Sequence, residues 1–152
     1  MRRKEKEITS KKAIEDVINS CLVCRLAIND GDTPYLVPLN FGYREGVLYF
    51  HGAMQGKKLQ LLKKNGRAAF ELDTRLEIVE AEDACEWSMK FQSVIGSGPV
   101  IMIESPLEKR EALNIIMAQY SDREFDLPEK KISGIAVYKL VIEQMTGKQS
   151  GW

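Results

Sequence analysis

The sequence lacks an excess of either charge. Its 22 basic residues equal its 22 acidic residues, so the formal net charge is zero at neutral pH. Proteins that bind nucleic acid usually carry a basic field that attracts phosphates, and this balance provides none overall. No apolar run reaches the ~20 residues that a membrane-spanning helix needs. We therefore expect neither nucleic acid nor a membrane as a partner.

The N-terminal run Met1–Glu7 also lacks the features of a secretory signal. Its basic residues alternate with acidic ones, and no apolar segment follows them. A signal peptide has a basic start and then 7–15 apolar residues. The expected location is the cytoplasm.

Cysteine and histidine are scarce, with three cysteines and one histidine in the chain. Cys21 and Cys24 have the C-x-x-C spacing, which occurs in redox pairs and as half of a zinc site. A structural zinc usually takes four ligands, and only Cys85 and His51 are left to complete the set. We expect no metal site. The simpler interpretation makes Cys24 a small apolar residue in a strand and Cys21 part of the connection before it.

The composition indicates one compact domain spanning residues 1–152. The chain is 44% hydrophobic and 29% charged, within the usual range for a globular protein. Chains of this size bury enough surface to fold without disulfides or a structural metal.

The hydrophobic pattern predicts many strands and few helices. Ser10 is a suitable N-cap for a helix at about 10–19, with Ile14, Val17 and Ile18 on one face. Strands are expected at 22–28, 34–43, 47–51, 67–73, 88–104 and 135–145, further helices at 57–64 and 106–120, and a C-terminal tail at about 147–152. Because strands and helices do not alternate regularly, this order favours a mainly β fold, a barrel covered by helices.

The stretch from Tyr49 to Lys58 carries the most chemical information. Small residues, Gly52, Ala53 and Gly56, precede Lys57 and Lys58 where a strand leads into a helix. Backbone N–H groups, the helix dipole and two ammonium groups can converge there on a phosphate. The spacing differs from a Walker A loop, and position 58 offers no hydroxyl for magnesium. The competing interpretation is that both lysines are ordinary solvated residues of an amphipathic helix.

A second segment, residues 37–43, places Pro38 inside a strand. Proline removes a donor from the hydrogen-bond ladder and leaves the neighbouring backbone open to a ligand or to a sheet edge. Asn40 could recognise a heterocycle through its amide. An ordinary edge strand would explain the proline equally well.

Together, these segments resemble the flavin-binding split β-barrel superfamily of the pyridoxamine 5'-phosphate oxidase type. The resemblance lies in VPLNFGY (37–43), LYFHGAMQGKK (48–58) and MKFQSVIGSG (89–98). The segments 146–148 and 21–25 are similar to the nitroimidazole-resistance (Nim) branch of that superfamily. The matching segments follow the same order over nearly the whole chain.

The resemblance implies a single-domain split barrel that binds FMN as a homodimer, with each flavin at the subunit interface. It implies that Lys57 and Lys58 bind the flavin phosphate, next to Gly52, Ala53 and Gly56. It also implies that Gln92 and Ser93 make further polar contacts with the flavin. The residues implied along the isoalloxazine are Val37, Pro38, Leu39 and Asn40.

His51 matches the histidine near the flavin in Nim proteins, and its imidazole could donate or shuttle a proton to a bound substrate. The alternative is that it only makes a hydrogen bond at a strand end. The implied activity is reduction of a small nitro-aromatic or related electrophile. Oxidation of a pyridoxine-type phosphate, and flavin or haem binding without turnover, are the alternatives, because a fold of this type does not specify its substrate.

Overall fold

The computed structural model describes residues 3–152, so Met1 and Arg2 of the N-terminal run lie outside the described residues. The strands are β1 (Glu7–Ile8), β2 (Cys24–Ile28), β3 (Tyr35–Leu39), β4 (Gly42–Arg44), β5 (Val47–Ala53), β6 (Arg67–Val79), β7 (Ser88–Ile103), β8 (Ile135–Val141) and β9 (Gln144–Ser150). The helices are α1 (Lys11–Ser20), α2 (Lys57–Asn65), α3 (Pro106–Ala118) and the short α4 (Glu129–Ile132). No helix in the described part of the chain is long and apolar enough to cross a membrane.

The nine strands form one antiparallel sheet, which is open and runs in the order β3-β2-β6-β7-β8-β5-β4. β7 connects its two halves. The first part of β7 pairs with β6 on one side and with β9 on the other, whereas Val100–Ile103 pair with β8. The expected mainly β fold with helical covers, a split barrel in a single domain, is confirmed.

The helices begin and end close to where the sequence predicts. Ser10 caps α1 by accepting a hydrogen bond from the Ala13 N–H, and the apolar face of α1 buries Ile14, Val17 and Ile18. α2 ends at Gly66, whose φ of 64° lies in the left-handed region that glycine adopts without strain. Ser105 occupies the N-cap position of α3 without a capping side-chain hydrogen bond.

Two expected strands are each divided into two. The run at 34–43 forms β3 and β4, which pair with β2 and β5 respectively, so the chain changes sheet position at Asn40 and Phe41. The run at 135–145 divides at 142–143 into β8 and β9. A uniform extended pattern cannot reveal such a break, because both pieces have the same alternation.

The expected C-terminal tail is wrong for residues 147–150. They belong to β9, which pairs with β7 and with β1. Gly147 allows this packing, since a Cβ there would lie 2.8 Å from Ile14 Cγ1 and 2.9 Å from Ile8 Cβ. Only Gly151 and Trp152 follow the strand.

The main core lies between α1 and the inner faces of the strands. Phe41, Phe50, Phe70 and Tyr138 are its largest buried side chains, and the Phe50 and Tyr138 rings stack with centroids 5.5 Å apart. A second cluster packs beneath α3. Its neighbour Gly42 lies so close to α3 that a Cβ would be 2.6 Å from the Ile115 backbone.

Candidate functional site

A cleft of about 340 Å³ opens where β3 ends beside β5. It is lined by Val23, Pro38, Leu39, Asn40, His51 and Gly52. Its volume is within the range of small-ligand sites. The structure therefore brings together residues that the sequence places in separate segments, the end of β3 and the end of β5.

His51 lines this cleft and remains accessible to solvent. Surrounding protein atoms partly desolvate the ring and lower its pKa from 6.5, and the positive charge of Lys58 lowers it further. The imidazole is consequently neutral at neutral pH. In that form one ring nitrogen donates a hydrogen bond while the other accepts one.

Lys58 directs its ammonium group toward the β5 wall of the cleft. A Cβ at position 52 would lie 3.0 Å from the Lys58 Nζ, so Gly52 leaves the space that this group occupies. Partial burial lowers the pKa of Lys58. Within residues 3–152, Lys58 forms no ion pair or side-chain hydrogen bond. A partly desolvated cation without a partner is suited to bind an anion.

Lys57 points elsewhere. Its Nζ lies 2.5 Å from the Asp30 carboxylate and 5.6 Å from the centre of the Tyr35 ring. The two lysines that the sequence groups together thus diverge, and only Lys58 reaches the cleft side.

The N-terminus of α2 lies next to the cleft in sequence but faces a separate groove. Gly56 is the N-cap, with a φ of 122° that favours glycine. It lines a groove of about 290 Å³ together with Met54, Leu59 and Lys63. Ala53 ends β5 and does not line the cleft among the described residues.

Three further predicted residues do not line the cleft. Val37 packs against the main core. Gln92 and Ser93 lie on β7, opposite Gln149 and Lys148 of β9. The Gln92 Nε2 donates a hydrogen bond to the Gln149 Oε1 at 3.1 Å.

Val23 is the lining residue that sequence reasoning missed. It is apolar yet 37% exposed, and it stands between α1 and β2. The 21–25 segment already resembles the Nim pattern, and that resemblance was the available signal. A larger groove of about 670 Å³ between α1, β4 and α3 contains none of the predicted site residues.

The C-x-x-C pair has the surroundings of core thiols. Cys21 and Cys24 are both buried, and the Cys21 Sγ donates to the Val17 carbonyl oxygen. Burial raises the pKa of Cys21 to about 12 and raises that of Cys24 as well. Both thiols stay protonated, which makes them poor nucleophiles and poor metal ligands. No group of three or more metal-ligating side chains occurs in the described part of the chain.

The family model described as pyridoxamine 5'-phosphate oxidase matches residues 10–149, which include every element from α1 to β8, all of β9 except Ser150, and the whole cleft. The chain belongs to the pyridoxamine 5'-phosphate oxidase family. None of the curated proteins matches the chain significantly.

Solved structures agree with this assignment to the pyridoxamine 5'-phosphate oxidase family. A candidate 5-nitroimidazole antibiotic resistance protein from Bacteroides thetaiotaomicron is 34% identical, with a TM-score of 0.85 over 94% of this chain and 86% of that one.

Two more distant structures share the fold. A FAD and haem binding protein from Mycobacterium smegmatis is 20% identical, with a TM-score of 0.87 over 97% of this chain and 74% of that one. A flavocytochrome from Azotobacter vinelandii is 18% identical, with a TM-score of 0.85 over 100% of this chain and 72% of that one.

The residues present fit the flavin that the pyridoxamine 5'-phosphate oxidase fold implies. Leu39 and Val23 offer apolar surface, Asn40 offers an amide, and Lys58 supplies an unpaired cation beside Gly52. An apolar site with a few polar groups is typical of cofactor pockets.

Proposed function

We propose that this protein binds FMN in the His51 cleft and acts as a Nim-like reductase of a small nitro-aromatic or related electrophile. The observation that carries the proposal is the convergence of Asn40, His51 and Gly52 on one cleft, with the unpaired Lys58 ammonium beside it. FMN would supply the electrons for the reaction. The 34% identity to the Bacteroides protein supports the nitro-aromatic class of substrate.

Lys58 would hold the phosphate. Its ammonium is already partly desolvated, so binding an anion costs it little further hydration. Lys57 would contribute at longer range, since Asp30 occupies it.

The strand carrying Pro38 would hold the ring system. Pro38 has no N–H to offer a neighbouring strand, so this stretch of backbone stays open toward a planar ligand. Leu39 would contact the ring's apolar face, while the Asn40 amide can both donate to and accept from its polar edge.

His51 would donate a proton to the bound substrate. A neutral imidazole can donate from one nitrogen to the substrate while its other nitrogen accepts a replacement proton from solvent. It lines the cleft and is exposed to solvent, so it has access to both.

A homodimer would complete the site. Gln92 and Ser93 lie on β7 and do not line the cleft of their own subunit, so we assign their contacts to the flavin of a second copy. We also propose that the protein is cytoplasmic, where its three cysteines would stay reduced.

The first experiment identifies the ligand of the purified protein by its visible spectrum and by the mass of the molecule released on denaturation. FMN is expected. Haem would instead favour a binding protein with His51 as the iron ligand, and FAD would confine the proposal to flavin in general. A protein that neither retains FMN nor takes it up on titration would refute the proposal.

The second experiment distinguishes an enzyme from a protein that binds flavin without turnover. His51→Gln should retain FMN and slow the reduction of a nitroimidazole by the prereduced protein about 10²–10⁴-fold, the usual contribution of proton transfer by a side chain. Stopped-flow absorbance measures the rate per bound flavin. An unchanged rate in the variant would leave His51 a structural role only.

A further inference from the structure

The pairing of β2 with β3 stops at the cleft. The last pair in the register is Cys24 with Leu39. Continuing the same register would place Val23 opposite Asn40 and Leu22 opposite Phe41. Val23 and Asn40 instead line the cleft, so the two chains separate at the position where the cleft begins.

Tyr120 lies between the separated chains. It follows the end of α3, and its hydroxyl oxygen accepts a hydrogen bond from the Phe41 N–H at 2.9 Å. The same hydroxyl donates to the Leu22 carbonyl oxygen at 2.9 Å. These two backbone groups are a donor and an acceptor that could bond directly if the strands continued together.

We propose that the Tyr120 hydroxyl is a positioning group that holds the His51 cleft open by standing between Leu22 and Phe41. It satisfies both backbone groups while keeping them one hydroxyl apart. Val23 and Asn40, the residues between this link and the last strand pair, are thereby held away from each other. Tyr120 does not line the cleft, so it acts through the two chains that do.

The neighbouring Gln119 fixes Tyr120 in this place. Its Nε2 lies within hydrogen-bond distance of three carbonyl oxygens at the end of α1, those of Ile18, Asn19 and Cys21. The end of α3 is therefore attached to the end of α1 immediately before Leu22. Because this segment is held in place, the Tyr120 hydroxyl can fix the distance between the Leu22 and Phe41 backbones.

Tyr120→Phe removes the hydroxyl and keeps the ring. We expect the Phe41 N–H to pair with the Leu22 carbonyl oxygen, which narrows the cleft. The affinity for FMN should fall about tenfold, as for the loss of one net interaction. The visible spectrum of flavin bound at saturation should also differ from that of the wild type, because the ring meets a changed surface.

Tyr43→Phe is the matched control. The Tyr43 hydroxyl also makes two hydrogen bonds, donating to Glu15 at 2.7 Å and accepting from the Gly46 N–H at 3.0 Å. Tyr43 lines the larger groove instead of the cleft. The Tyr43→Phe variant should be less stable than the wild type, but its affinity for FMN and the visible spectrum of its bound flavin should not change.

This inference rests on the proposed function only for the identity of the ligand. The pKa of His51, measured without flavin, tests the inference independently of the proposed function. His51 is the only histidine, so its imidazole NMR signals are assigned without ambiguity. Narrowing the cleft should bury the ring further and lower its pKa in Tyr120→Phe, but not in Tyr43→Phe. An unchanged His51 pKa, or an equal change in both variants, would overturn the inference whether or not FMN binds.

Amide hydrogen exchange tests the unmodified protein and does not depend on a variant that folds. The Phe41 amide should exchange slowly, because the Tyr120 hydroxyl accepts from it. Exchange as fast as in an unstructured peptide would show that the link does not exist, and would equally overturn the inference.

Discussion

At the scale of single residues, Lys57 and Lys58 are neighbours with different surroundings. Lys58 has a free ammonium beside Gly52, whereas Lys57 is paired with Asp30. Lys58→Gln should therefore weaken FMN binding about 10- to 100-fold, the value of one charge-assisted hydrogen bond. Riboflavin, which has no phosphate, should be affected little.

Lys57→Gln is the control for this prediction, and it should weaken FMN binding clearly less than Lys58→Gln does. Titration calorimetry with both ligands measures all four differences. Equal losses of FMN and riboflavin in Lys58→Gln would assign the lysine to the ring or to the fold rather than to the phosphate.

The His51 titration is a second property at this scale. Burial and then the Lys58 charge lower its pKa below 6.5. Lys58→Gln should raise the His51 pKa only part of the way back, because burial is the larger cause. An NMR titration of the single imidazole measures both values, and complete recovery in the variant would make Lys58 the main cause instead.

The same lowered pKa has a consequence for stability. Below pH 6.5 the unfolded chain binds a proton at His51 more readily than the folded chain does. The His51 contribution to stability is therefore present above pH 6.5 and is lost as the pH falls through the folded-state pKa. Urea unfolding should show a smaller loss on acidification in His51→Gln than in the wild type.

Most residues that line the cleft could be predicted from the sequence, because motif residues such as Asn40 and His51 are recognisable individually. The sequence could not separate Lys57 from Lys58. Their directions depend on Asp30 and Gly52, which come near α2 only through the sheet. Tyr120 falls at the end of the helix expected at 106–120, and the sequence could not reveal its role because its partners are 79 and 98 residues away along the chain.

At the scale of elements, the close contact of β4 with α3 depends on Gly42. A Cβ at this position would lie 2.6 Å from the Ile115 carbonyl carbon, and backbone cannot move aside as a flexible side chain can. Gly42→Ala should cost about 1–3 kcal/mol of unfolding free energy, the usual effect of overpacking.

Gly134→Ala is the matched control, because a Cβ there meets no atom within 4 Å. It should be neutral or slightly stabilising. Denaturant unfolding of both variants gives the comparison, and a Gly42→Ala protein as stable as the control would show that α3 can shift without cost.

The elements themselves were largely predictable, since a capping serine and an apolar stripe mark α1 and helices were also expected at 57–64 and 106–120. The division of 34–43 and of 135–145 was not. A strand that changes partners at Asn40, or between β8 and β9, keeps one extended pattern throughout. Only the pairing partners distinguish its two parts, and they are distant in sequence.

At the scale of the whole molecule, β6 and β7 extend beyond the sheet as a two-stranded arm, residues 77–79 paired with 88–90. The arm exposes Ile78, Met89 and the nearby Trp87, which are 59%, 45% and 50% exposed. Ile78 and Met89 lie opposite each other in the strand register, and exposed apolar surface of this kind is typical of an interface. Within the proposed homodimer, we assign the arm to contacts with the second copy.

Ile78→Glu should therefore shift the protein toward monomer, because a charge would be buried in the proposed contact. Leu107→Glu is the control, since Leu107 is 72% exposed and lies on α3. Light scattering over a range of protein concentrations, with and without FMN, measures the shift. FMN should strengthen the dimer through linkage, and a wild type that is monomeric with FMN bound would contradict the dimer.

The position of β9 has a consequence during protein synthesis. β9 follows the other described strands in the chain, yet it lies against β7 and also pairs with β1, the first of them. Until residues 144–150 leave the ribosome, one edge of β7 has no partner, and an unpaired edge can bind other chains. We therefore expect the unfinished chain to aggregate more readily than the finished one, in which β9 pairs with that edge.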